Sequence, residues 1–210
     1  MDIPGALIQY LMLVSLLTFH EFAHAWTGLK CGDDTARLQG RVSLNPVVHI
    51  DPIGTVLLPL LMIFMPGAGR FLIGWAKPVP FNPHNLSHPD RDEVLIAMAG
   101  PGMNLLLAIV LVGVVRVAEI FHYNGAADLA WQAASLSLVL CFFNLIPVPP
   151  LDGSHVLKVA TNMSFETYAR FAQFGFLIVI GLLQVPQVRE LLSNVTFGTQ
   201  DLLARIFGVT

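Results

Sequence analysis

The chain has 210 residues, 55% of them hydrophobic and only 12% charged, with a net charge of −3. Soluble domains carry about 25% charged residues, so an ordinary soluble globule is excluded, and the apolar content excludes disorder. Its 11 lysines and arginines are scattered along the chain, which excludes an electrostatic footprint for nucleic acid and leaves a polytopic membrane protein.

A bilayer core takes about 20 apolar residues to cross. Ile3 to Leu29 meets that length, with His20, Glu21 and His24 as the polar intrusions. It lacks a basic leader, so it is expected to stay in the mature chain. In residues 30–51, the stretch from Thr35 to Leu44 alternates polar and apolar, a weak strand or hairpin signal. Residues 52–69 are uncharged but broken by Pro59 and Pro66, and read as a short, irregular second span. Residues 70–92, rich in proline, asparagine and histidine, read as a membrane-surface or re-entrant loop. Val94 to Val115 is a third span, Leu129 to Leu151 a fourth ending in Pro147, Pro149 and Pro150, and Phe171 to Val188 a fifth. From 187 to 208 the apolar positions suit an amphipathic interfacial tail, interrupted near Gly198.

The expected fold is therefore all-α: a polytopic helical bundle of about five spans, with a small β or re-entrant element after the first. Residues 1–186 form the membrane domain and 187–210 the amphipathic tail. The basic residues divide too evenly to set orientation. Cys31 and Cys141 form no C-x-x-C pattern, so neither a disulfide framework nor a cysteine zinc site is indicated.

The first chemical signal lies inside the first span. Ionisable groups are expensive in hydrocarbon and usually functional. Helical spacing puts His20 and His24 one turn apart on one face, where both imidazoles reach one ion. Glu21 sits beside them, placed to act as a base. His20-Glu21-Phe22-Ala23-His24 is the H-E-x-x-H pattern of zinc peptidases. The competing reading is a histidine pair bonded to backbone or lining a polar pore.

Two histidines do not complete a catalytic zinc site, which needs a third protein ligand and an open position. Asp152 ends the fourth apolar segment, after prolines that forbid a regular helix. Irregular backbone at membrane depth is tolerated only against protein or a watery cavity. Gly153 lets the chain turn or approach something closely. Asp152 is thus the candidate third ligand; the competing reading is a helix cap.

These two segments together resemble the site-2 protease family, the intramembrane zinc metalloproteases of peptidase family M50. Gly100-Pro101-Gly102-Met103-Asn104, Asn45-Pro46 with His49 and Asp51, and Lys77-Pro78-Val79-Pro80 resemble that family too. The likeness covers most of residues 14–160 and fits the compact prokaryotic type without PDZ or CBS domains. It implies one zinc per chain on His20, His24 and Asp152, with Glu21 as general base and Asn144 steadying substrate or oxyanion. It further implies a transmembrane protein or peptide as substrate, the lipid bilayer as surroundings, and a prokaryotic inner membrane as location. Oligomeric state is left open. His155, three residues after Asp152, either competes for metal or orients Asp152, and orientation is the favoured reading.

Other polar residues read more simply. His49 and Asp51 suit a structured loop, as do His84 and His88, while His122 suits the interface. Asn104 bonds across helices or supports the site from behind. The rival functions are a divalent-metal transporter using the same His/Asp groups and a catalytically silent membrane scaffold.

Overall fold

The first apolar stretch folds as a single helix, α1 (Ile3–Lys30), in a computed structural model that describes residues 3–64 and 74–209. Pro4 falls in its first turn, where a missing N–H costs no hydrogen bond. Ser15 and Thr18 return their hydroxyls to the carbonyls of Leu11 and Val14, at 2.8 and 2.7 Å. Polar side chains inside an apolar helix are satisfied this way without leaving it. Two compact units make up the chain, one running through Asp92 and the other starting at Glu93.

In the first unit, Thr35–Leu38 is a helical turn, α2, where alternation had predicted strand or hairpin. The reason is Asp33, 1% exposed. Its carboxylate accepts the Thr35 N–H at 3.1 Å and the Thr35 hydroxyl at 2.5 Å, which starts a turn. It also accepts the Asn82 N–H at 2.7 Å and the Asn85 amide at 2.9 Å. No strand occurs among the described residues.

Asn45 caps a tight turn over Pro46–His49, with its side chain accepting the Val47 N–H at 3.1 Å. Asp51 then caps a wider turn, Pro52–Leu57, by accepting the N–H groups of Ile53 and Gly54 at 3.0 and 2.6 Å. That turn continues into α3 (Leu58–Phe64). At about 1.5 Å per residue, Pro52–Phe64 falls short of a bilayer core of about 30 Å. Residues 65–69 of the expected second span and 70–73 of the loop after it lie outside the described residues.

Helix α4 (Pro89–Ile120) opens with proline at its first position and Asp90 and Asp92 in its first turn, as helix N-termini favour. Asp92 reaches back to the His88 N–H at 2.8 Å. Pro101 stands within the helix and is fully buried.

In the second unit, α5 (Asn124–Asn144) ends where the prolines begin. Residues 145–152 form the expected irregular stretch, followed by α6 (Gly153–Ala160). Then come α7 (Phe165–Gln184) and α8 (Pro186–Phe207). Helix α8 runs unbroken through Gly198, contrary to the expected interruption. Packing supplies the reason: Gln200, 1% exposed, accepts the Ser135 hydroxyl at 2.8 Å and donates to the Trp131 carbonyl at 3.2 Å, tying α8 to α5. Asn104 is fully buried in α4, and its carbonyl accepts the Ser137 hydroxyl of α5 at 2.7 Å.

Among the described residues, α1, α4, α5 and α7 are long and apolar enough to cross a membrane. The architecture is all-helical, with the Pro52–Phe64 segment as a shorter apolar companion.

Candidate active site

The period of α1 brings His20 and His24 together. Both are buried, and their Nε2 atoms lie 3.0 Å apart. The rings stand nearly perpendicular, at 80°, with centroids 4.6 Å apart. Two imidazole nitrogens on a tetrahedral zinc sit about 3.3 Å from each other, given bonds of about 2.05 Å. The pair therefore fits two ligand positions of one zinc ion almost as it stands.

Glu21 is also buried, at 8% exposure. Its Oε2 accepts the backbone N–H of Val79 at 3.0 Å. Val79 arrives on a non-helical run, residues 74–80, whose N–H groups alternate inward. Trp75 donates to the Gly54 carbonyl at 3.2 Å, Lys77 to the His49 carbonyl at 2.9 Å, and Val79 to Glu21. Such alternation is that of extended backbone. On the same run, the Lys77 carbonyl accepts from Arg41, a guanidinium only 3% exposed. Burial pushes the Arg41 guanidinium below its ordinary value, and the nearby Glu21 opposes that shift without cancelling it. Trp75 lays its indole against Gly54, where a Cβ would collide with the ring.

His49, 2% exposed, donates from Nε2 to the Ser43 carbonyl at 2.8 Å. Burial pushes its imidazole below the ordinary histidine value. The Ser43 carbonyl and Glu21 oppose that shift, and the Arg41 charge adds to it. With Asp51 occupied as a cap, the structured-loop reading of this pair holds. His84 and His88 are exposed and flank the turn at Asn85. His122 closes the end of α4 at a φ of 59°.

In the second unit, Asn144 is the last residue of α5, and its side-chain amide donates to the Leu140 carbonyl at 2.9 Å. One of its two amide protons is thereby used. Asp152, half-buried, heads α6. The glycine after it has the close approach expected: a Cβ on Gly153 would collide with the backbone of Leu145 and Ile146. His155 turns Nδ1 to Glu93 at 2.8 Å and Nε2 to the Tyr168 hydroxyl at 3.3 Å. Both ring nitrogens thus face protein partners.

Sequence reasoning missed Arg41 and Glu93. Glu93 sits one residue before the uncharged run read as the third span. The spacing of His155 and Lys158, one helical turn apart, was the available sign that a shared partner faces them.

Residues 113–185 match the family model described as Peptidase family M50. A Bacillus subtilis (strain 168) protein, "Putative zinc metalloprotease YwhC", is 33% identical over 97% of this chain and 93% of its own length. The chain belongs to peptidase family M50. Two further M50-type relatives are both named "Putative zinc metalloprotease Rip2". The one from Mycolicibacterium smegmatis is 34% identical over 83% of this chain and 65% of its own. The one from Mycobacterium tuberculosis (strain H37Rv) is 32% identical over 90% and 71%. No solved structure matches the chain. Membership in M50 makes the protein an enzyme of the metalloendopeptidase class, EC 3.4.24. Four candidate spans make it a multi-pass membrane protein.

Proposed function

We propose that this M50 protein hydrolyses peptide bonds of transmembrane substrates, using one zinc ion on His20, His24 and Asp152. The observation that carries the reading is the pair of buried ring nitrogens 3.0 Å apart inside a membrane-spanning helix, with Glu21 beside them. Two imidazoles and a carboxylate are a zinc donor set that leaves a fourth position open. When bound, zinc supplies Lewis acidity that polarises a carbonyl and makes water a better nucleophile.

The chain's own residues do the rest. Glu21 takes a proton from the attacking water and passes it to the leaving amine. The Val79 N–H holds one carboxylate oxygen and leaves the other for that work. The remaining amide proton of Asn144 serves the substrate carbonyl as negative charge develops on it. A helical substrate hides its carbonyls in its own hydrogen bonds, so it must unwind locally before attack. The membrane protease family supports a protein substrate in the bilayer.

The test is Glu21→Gln in protein co-reconstituted with a membrane substrate. Zinc content stays at the wild-type level and cleavage falls by about 10²–10⁴-fold, the usual weight of a general base. Undiminished cleavage overturns the assignment, and zinc flux across the same vesicles would identify a transporter instead.

A further inference from the structure

Helix α6 is eight residues long and amphipathic, too short to hold its place by itself. It carries Asp152 at its head. Polar contacts to Glu93 and Tyr168 fix it within the second unit. Glu93 of α4, 5% exposed, accepts His155 Nδ1 at 2.8 Å through Oε1. The Lys158 ammonium donates to both oxygens of the same carboxylate, at 2.8 Å each. On the other side, the Ser154 hydroxyl meets the Tyr168 hydroxyl of α7 at 2.9 Å. Lys158 also stands over the Tyr168 ring, 5.7 Å from its centroid.

A buried carboxylate held by two donors from one face of one helix is a clamp. His155 and Lys158 are one turn apart, so their shared acceptor fixes both the rotation of α6 about its axis and its distance from α4. Ion pairs removed from water are seldom a net source of stability. What this one supplies is geometry: with α6 rotated by even part of a turn, the carboxylate at its head points elsewhere.

We infer that Glu93, through Lys158 and His155, is the positioning residue that aims Asp152 for metal binding. The inference rests on the reading of Asp152 as a zinc ligand. Partners behind a ligand typically alter metal affinity by about 10–100-fold when removed.

The test measures zinc affinity of the full-length, detergent-purified protein by competition with a chromophoric zinc chelator. It also measures the zinc-dependent rise in thermal midpoint over the metal-free protein. Glu93→Gln strands a buried lysine, so the decisive variant is the double change Glu93→Gln/Lys158→Met, which leaves no lone buried ion. In it, zinc binding weakens by about 10–100-fold and the zinc-dependent rise shrinks, while the metal-free midpoint moves little. A merely structural role would lower the metal-free midpoint and leave the zinc increment alone. Lys158→Arg alone, which keeps the charge and its pairing with Glu93, leaves affinity near wild type. Wild-type zinc affinity in the double variant, alongside zinc loss in Asp152→Ala, overturns the positioning role and spares the ligand. Full zinc retention in Asp152→Ala removes the ligand reading, and this inference with it.

Discussion

The Glu21 carboxylate accepts the backbone N–H of Val79 at 3.0 Å, from 58 residues further along the chain. A base that must accept a proton at a fixed point needs its carboxylate held in place, and the Val79 N–H restrains one of its oxygens. Deleting this donor is therefore informative. Val79→Pro removes the N–H between two residues that are already prolines, whereas Val79→Ala keeps it. The expected result is a fall in kcat of about 10-fold or more for the proline variant, in line with other partners that stand behind a catalytic site. Zinc content and KM stay unchanged, and the alanine variant behaves as wild type.

His24→Ala removes one of the two facing nitrogens. Zinc occupancy after dialysis is expected to fall to background, measured by elemental analysis, and cleavage with it. Treating wild-type protein with a strong chelator should abolish cleavage, and added zinc should restore it.

Gly153→Ala probes the turn beside Asp152. The new Cβ meets the backbone of Leu145 and Ile146, which has no flexible side chain to move aside. Overpacking of this kind costs about 1–3 kcal/mol. A lowered thermal midpoint together with weakened zinc binding is expected, since any relief must displace Asp152 itself. A variant with normal midpoint and normal zinc would show that the approach is not needed.

Asp33 gives a pH signature. Burial pushes its carboxyl up, but hydrogen bonds from Thr35, the Asn82 N–H and Asn85 outweigh burial and hold it below the ordinary carboxylate range. A folded value lower than the unfolded one stabilises the protein fully above about pH 4, the unfolded value. That contribution disappears as pH falls through the folded value. Asp33→Asn should lower the thermal midpoint at pH 7 and shrink the loss seen between pH 5 and 3. An unchanged pH profile would show that the carboxylate is not the linked group.

How much of this was legible in the residues depended on the distance between partners. His20 and His24 were readable because the helix period alone brings them together. The broken backbone before Asp152 was readable because proline forbids the alternative. The turn at Thr35 was not, because Asp33 is held by Asn82 and Asn85, 49 and 52 positions downstream, and nothing local announces that. Glu93 was missed for the same reason: its partners lie 62 and 65 residues away. At Gly198, a helix penalty of about 1 kcal/mol was read as a break, but the neighbouring Gln200 contacts hold α8 together through it.

The run from Trp75 to Pro80 spends the N–H groups of Trp75, Lys77 and Val79 on its own fold. Pro78 and Pro80 have none to give, so its opposite margin is rich in carbonyl oxygen and nearly devoid of hydrogen. Two molecules meeting along that margin would face oxygen to oxygen and find no ladder to build.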